Sequence, residues 1–207
     1  MPWAFPNRFY PIIDAQACED RGFDPRAVAA ACFRGGARLL QLRVKSGSSG
    51  AFLALADDVV ATAAGYNAIV VVNDRGDIAR MAGAGGVHVG QDDLPADLVR
   101  TVAGPSVVIG LSTHDEPQVE EALASQADYI AVGPVFPTTT KDTGYDARGL
   151  NLVRSAAGRG KPVVAIGGIA IENAPGVIRA GASAVAVITD LLREDPERRT
   201  RAYLASL

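Results

Sequence analysis

Cysteine, long apolar runs and an excess of either charge are what this sequence lacks, and each shortage excludes a class of protein. Only two cysteines, Cys18 and Cys32, occur in 207 residues, too few for a disulfide framework and wrongly placed for a zinc pattern. Cys32 lies in an alanine-rich helical stretch and reads as a small buried hydrophobe. No run of about eighteen apolar residues exists, so no helix spans a membrane. The first ten residues lack the charged-then-apolar layout of a secretory signal. Twenty basic side chains against 23 acidic ones leave a formal charge of −3, which gives no broad cationic surface for nucleic acid. What is present is the mix of an ordinary globule: 48% hydrophobic, 21% charged, mean hydropathy +0.15. No linker or low-complexity segment interrupts it. The expectation is a reduced, cytoplasmic protein whose residues 1–207 form a single domain.

Short Val/Ile/Leu runs alternate with Ala-rich amphipathic segments along the whole chain. Strands are expected at Phe9–Ile13, Arg38–Leu42, Ile69–Val72, Val87–Val89, Val107–Ile109, Tyr129–Val132, Val163–Ile166 and Ala184–Ile188. The runs are near-continuously apolar, as parallel strands covered by helices require, although Pro11 removes a ladder donor from the first. Between them, Asp24-Pro25 reads as an N-cap with Pro at the first helical position, and Gly35-Gly36 closes that helix. Phe52, Leu55, Ala56, Val59, Val60 and Ala63 fall on one helical face. Thr113 with Glu116 fits a capping box before Val119 and Leu123. Eight strand–helix alternations predict an α/β fold, a closed (β/α)8 TIM barrel. The competing open doubly wound sheet usually carries fingerprint glycines after its first strand, and none stand there.

In such a barrel the chemistry sits at the C-terminal ends of the strands. Gln41, Arg43 and Lys45 alternate after the second strand and point into the barrel mouth. Asn73-Asp74 follows the third strand, Gly90-Gln91-Asp92-Asp93 the fourth, and Ser112-Thr113-His114 the fifth. The sixth leads into Gly133-Pro134-Val135-Phe136-Pro137-Thr138-Thr139-Thr140-Lys141, the seventh into Gly167-Gly168-Ile169, and the eighth ends at Thr189. Arg43, Lys45 and Lys141 bring cations to one rim, with hydroxyls at Thr138 and Thr140, and a polyanion is their natural ligand. Asp74 and Asp93 are hard oxygen ligands that tolerate phosphate only with a cation between, so the set reads as a Mg²⁺–pyrophosphate site. Gly167-Gly168 and Thr189 suggest a second anion site of backbone N–H groups.

Each of these features also has a plainer reading. Asn-Asp is commonly a turn or cap, Gly-Gly a tight loop, and Lys45 a solvated side chain. His88, inside an apolar strand, reads as structural, whereas His114, beside Thr113, is open between a structural and a ligand-facing role. Ser46-Gly47-Ser48-Ser49-Gly50 is open between a mobile lid and a solvated loop. What favours chemistry is that seven of the eight strand ends carry such residues together.

Those same segments resemble the thiamine phosphate synthase family over nearly the whole chain, in order and spacing. They are Gln41-Leu42-Arg43-Val44-Lys45, Val72-Asn73-Asp74-Arg75, Gly86 through Asp93, Ile109 through His114, Gly133 through Lys141, and Ala165 through Ile169. The resemblance implies a (β/α)8 barrel that joins hydroxymethylpyrimidine diphosphate to thiazole monophosphate, giving thiamine monophosphate and pyrophosphate with Mg²⁺. It implies that Arg43, Lys45, Asn73 and Lys141 hold the diphosphate, that Gln41 bonds the aminopyrimidine, and that Asp74 and Asp93 ligate Mg²⁺. Ser112 would lie near the leaving pyrophosphate, and Thr138, Thr140, Gly168, Ile188 and Thr189 would contact the thiazole phosphate. Two positions depart from the family pattern: Val44 replaces the usual Glu but should point away from the mouth, and Thr189 replaces Ser while keeping a hydroxyl.

The chemistry so implied has pyrophosphate leave first, with Arg43, Lys141 and Ser112 as the catalytic set, and needs no general base. The partners implied are these two small molecules, with no nucleic acid or membrane and a homo-oligomer allowed. A sister barrel, the thiazole tautomerase, would need no diphosphate site, and a non-catalytic thiamine phosphate carrier would need no metal site.

Overall fold

Each apolar run becomes a strand, and the eight strands close on themselves. The computed structural model describes residues 3–138 and 144–207. Its strands are β1 (Phe9–Asp14), β2 (Leu39–Arg43), β3 (Ile69–Asn73), β4 (Gly86–Val89), β5 (Val108–Thr113), β6 (Tyr129–Val132), β7 (Val163–Ile166) and β8 (Ala184–Val187). Every strand pairs in parallel with its sequence neighbours, and β1 meets β8 through Phe9↔Val185 and Tyr10↔Ala186. The helices between them are α1 (Ala15–Glu19), α2 (Pro25–Arg34), α3 (Ser49–Ala64), α4 (Gly76–Ala82), α5 (Ala96–Ala103), α6 (Glu116–Ala124), α7 (Gly149–Ala156), α8 (Ala174–Arg179) and α9 (Pro196–Ser206). The expected (β/α)8 barrel is the observed one.

Alternation along the strands sorts the side chains into two cores. Phe9, Ile13, Leu40, Leu42, Val70 and Val72 face outward and pack under the helices. Tyr10, Ile12, Leu39, Val71, Tyr129 and Val164 face inward and fill the barrel. Pro11 leaves pairing intact on both sides of β1. Both cysteines are buried, and burial pushes each thiol up to about 12, so they are unreactive packing residues.

The helix starts follow their caps. Asp24 accepts from Arg26 N at 3.1 Å ahead of Pro25, and Ser48 accepts from Ala51 N at 3.2 Å. The stretch Ser46–Gly50 is therefore in part the cap and first turn of α3. The capping box expected at Thr113 does not form. β5 runs on to Thr113, whose buried hydroxyl donates to Ala131 O, and α6 is capped two residues later by Asp115, which accepts from Gln118 N at 3.0 Å. Gly110 hid the true length of β5, because it breaks the apolar run.

The glycine has a packing cause. A Cβ at Gly110 would lie 2.1 Å from Tyr129 Cζ and 2.5 Å from His88 Nδ1. Gly110→Ala should therefore destabilise the fold by roughly 2–3 kcal/mol through overpacking, measured by urea unfolding. A variant within experimental error of the parent would show that the interior yields easily there.

Candidate active site

The inward-facing strand ends gather at one mouth of the barrel. Gln41 and Arg43 end β2, Asn73 ends β3, and Ser112 lies on β5. They are strand residues rather than loop residues, so their positions are fixed by ladder register, with Asp14 opposite Arg43 and Asn73 opposite His88. Val44 packs against the outer core, as its alternation predicted.

On the β1–β4 arc, charges come in matched groups. Arg43 Nη1 donates to Asp14 Oδ2, and the other Asp14 oxygen accepts from Ala17 N at 2.9 Å, capping α1. Asp14 was not anticipated, because the first strand was expected to end at Ile13. A polar residue closing an apolar run was the available signal. Lys45 Nζ lies 2.5 Å from Asp74 Oδ2, and Asp93 takes the Gly90 N–H at 2.8 Å. Burial raises the Asp74 carboxyl above the usual carboxylate range; Lys45 pulls it down, and the neighbouring Asp93 pushes it up again. Asp74 also sits at φ +62°, a left-handed position.

The cations were expected to await a polyanion unpaired, and this is corrected: Arg43 and Lys45 each already hold a carboxylate. A diphosphate would therefore meet cations already paired with Asp14 and Asp74. Asp74 and Asp93, adjacent and mutually repelling, fit a divalent cation as two hard oxygen donors. Among the described residues no cluster of three or more His, Cys, Asp or Glu gathers for a metal, so substrate or water oxygens would complete its shell. Asn73 is 6% exposed, and its Nδ2 has no partner. A buried donor of this kind is costly unless a ligand accepts from it.

The other arc is largely apolar, with Pro134, Ile166 and Val187 beside glycine backbone and a few hydroxyls. Ser112, Thr138, Gly168, Ile188 and Thr189 line one opening of about 90 Å³ together with His114. Gly168 has φ +61°, and a Cβ there would lie 2.6 Å from Pro137 O, so this glycine first makes room for the segment carrying Thr138. His114, left open above, has both roles. Its Nδ1 donates to Gly133 O at 2.7 Å and its ring stacks on Tyr145 at 4.6 Å, while it forms part of the cavity wall. His88 is the structural histidine expected, bonded to Tyr129 and Ser112. Thr140 and Lys141 lie outside the described residues. Asp190, also unanticipated, accepts from Arg199 Nη2 at 2.7 Å and Tyr203 OH at 2.5 Å, fixing the turn after β8 to α9.

A parallel barrel with hard carboxylates and cations on one side of its C-terminal mouth and a glycine-lined cavity on the other defines a phosphate-handling (β/α)8 barrel. The profile of the family described as "Thiamine monophosphate synthase" matches residues 9–191. "Thiamine-phosphate synthase" of Anaeromyxobacter dehalogenans is 43% identical over 85% of this chain and 80% of its own length. The Mycobacterium bovis protein of that name is 42% identical over 96% and 93%. "Thiamine phosphate pyrophosphorylase" from Pyrococcus furiosus superposes with a TM-score of 0.87 at 29% identity, covering 96% of this chain and 94% of that one. The chain belongs to the thiamine monophosphate synthase family.

Asp14→Ala removes a cap and strands the partly buried Arg43 cation, so it should cost about 3 kcal/mol in urea unfolding. Asp14→Asn, which keeps an oxygen for Ala17 N, should cost less, and equal losses would show that the cap contributes nothing.

Proposed function

We propose that the protein is a transferase of thiamine biosynthesis that joins hydroxymethylpyrimidine diphosphate to thiazole monophosphate, releasing pyrophosphate and forming thiamine monophosphate. The observation that carries this reading is the two-sided mouth: carboxylates and cations on β1–β4 face a separate backbone-and-hydroxyl cavity on β6–β8. Two different phosphorylated molecules can meet there.

On this reading Arg43, Lys45, Asn73 and Lys141 bind the diphosphate. Asn73 would spend its unpartnered Nδ2 on a phosphate oxygen. Asp74 and Asp93 would hold Mg²⁺, which when bound neutralises charge on the departing pyrophosphate. Arg43, fixed by Asp14, and Lys141 stabilise the same charge as it develops. Gln41 and Ser112 orient the pyrimidine, with Ser112 near the leaving group. Thr138, Thr140, Gly168, Ile188 and Thr189 hold the thiazole phosphate so that the ring nitrogen faces the pyrimidine methylene carbon. No residue has to remove a proton for this step. The partners are these small molecules and the setting is cytoplasmic. Among the described residues no helix is long and apolar enough to cross a membrane.

Pyrophosphate release that needs both substrates together is the direct test, and release with neither or with one alone would refute the reading. Asp74→Ala and Asp93→Ala should each abolish Mg²⁺-dependent turnover with the circular dichroism unchanged. Near-normal activity in both variants would remove them from the metal site. Lys141→Ala should lower kcat by roughly a hundredfold, as loss of one contact to developing charge does.

Gly168→Val should displace the Pro137–Thr138 segment and weaken calorimetric binding of thiazole phosphate. Binding of the pyrimidine diphosphate should be unchanged, and equal loss of both ligands would mean the two sides of the mouth are one site.

A further inference from the structure

A carboxylate and a cation flank the glycine-lined side of the mouth and belong to neither proposed substrate set. The 3₁₀ turn Thr189–Arg193 follows β8 and leads toward α9. A groove of about 410 Å³ there is lined by Thr138, Gly168, Thr189, Asp190 and Arg193, among others. Thr138, Gly168 and Thr189 also line the cavity proposed for the thiazole phosphate, so Arg193 stands in the groove that adjoins it.

The two charged residues are held very differently. Asp190 is 5% exposed. Its Oδ2 accepts from Tyr203 OH at 2.5 Å and from Arg199 Nη2 and Nε at 2.7 and 3.2 Å, so α9 fixes its position. Its Oδ1 is buried, makes no hydrogen bond, and has Arg193 Nη1 at 3.5 Å. The Arg193 side chain is 69% exposed, and among the described residues Asp190 is the carboxylate it pairs with. Glu194, next along the chain, lies instead 3.8 Å from Arg198 and from Arg199. A long exposed side chain held by charge alone is free to turn once that charge is gone.

We propose that Asp190 withholds Arg193 from the phosphate in the adjoining cavity and so keeps that phosphate loosely held. The inference rests on the function proposed above. On that reading the thiazole phosphate passes unchanged into thiamine monophosphate, and a group that grips it in the substrate grips it equally in the product. An arginine on a phosphate is a strong contact, but here it would be uniform binding. It would leave the chemical step no faster and would slow departure of the product. Asp190, anchored to α9, cannot follow Arg193 toward a ligand. It acts through Arg193 and is a positioning residue.

Asp190→Asn keeps the shape and an oxygen for Tyr203 and Arg199 while removing the charge. Asp190→Ala removes it by a second route should the first variant fold poorly. In either, the calorimetric Kd for thiazole monophosphate should fall roughly tenfold, and inhibition by thiamine monophosphate should strengthen by a similar factor. Adding Arg193→Ala should return most of that gain. Arg193→Ala alone should leave both constants within about twofold of the parent, since an exposed pair contributes little. If Asp190 merely positions Thr189, the folded variant binds thiazole monophosphate more weakly. Weaker or unchanged binding in a folded variant, a gain that survives Arg193→Ala, or a tenfold loss in Arg193→Ala alone overturns the proposal. If the unmodified protein binds neither molecule, the functional reading falls instead, and the same variants titrated with inorganic phosphate still decide whether Asp190 withholds Arg193.

Discussion

Tyr129 lies across the inside of the barrel, and the floor of the site is built on it. An eight-stranded barrel has an interior only wide enough for side chains to fill, so one large ring there dictates its neighbours. Below it, Trp3 stacks at 5.3 Å and Phe5 meets it edge-on at 5.1 Å. Beside it β5 can carry only glycine at position 110. The hydroxyl of a ring so deeply buried needs partners, and it finds Tyr10 and His88. Packing thus forces polar groups to meet under the mouth, and those groups reach the site through Gln41 and Ser112.

Above the floor, electrostatics set the terms. Arg43 and Lys45 are long side chains that would lose rotamer freedom on meeting a phosphate, and pairing with Asp14 and Asp74 removes much of that freedom beforehand. The same pairing cancels their charge. With Asp93 added, and Lys141 on the proposed reading, three carboxylates meet three cations. Asp74 and Asp93 would face a phosphate only across a divalent cation, which is the place the proposed reading gives to metal. The raised Asp74 carboxyl expresses the same strain, because burial and Asp93 together disfavour its ionised form.

The barrel was legible because parallel strands buried on both faces leave unbroken apolar runs, and most strand ends were legible because polar residues interrupt those runs. The same rule failed where an inward residue was small or polar without ending a strand. Gly110 and Ser112 looked like a loop and are β5, and that misplaced the cap of α6 from Asp115 to Thr113. Asp14 was passed over because one residue of strand length separated it from the expected end. Tyr10 and Tyr129 gave no sign at all. A tyrosine in an apolar strand reads as filling, and only the fold shows that the hydroxyls of β1 and β6 bond to each other and that Tyr129 reaches His88. The individual roles of the rim residues came from resemblance to a family, not from periodicity.

The two sides of the mouth differ in kind, and the proposed reaction gives a reason. Charge changes only on the diphosphate, as its bond to carbon breaks, so groups that strengthen as charge develops belong on that side. The thiazole phosphate keeps the same charge throughout, and tighter binding of it in the transition state would serve nothing. Neutral donors suffice for it. On the proposed reading the Gly168 backbone and the Thr138 and Thr189 hydroxyls, which line that cavity, would be such donors. In the adjoining groove Arg193 is turned toward Asp190 at 3.5 Å, an anion already held by Arg199 and Tyr203. On the proposed reading, cations and carboxylates are thus concentrated where bond breaking would move charge, and backbone would serve where a phosphate has only to be held still.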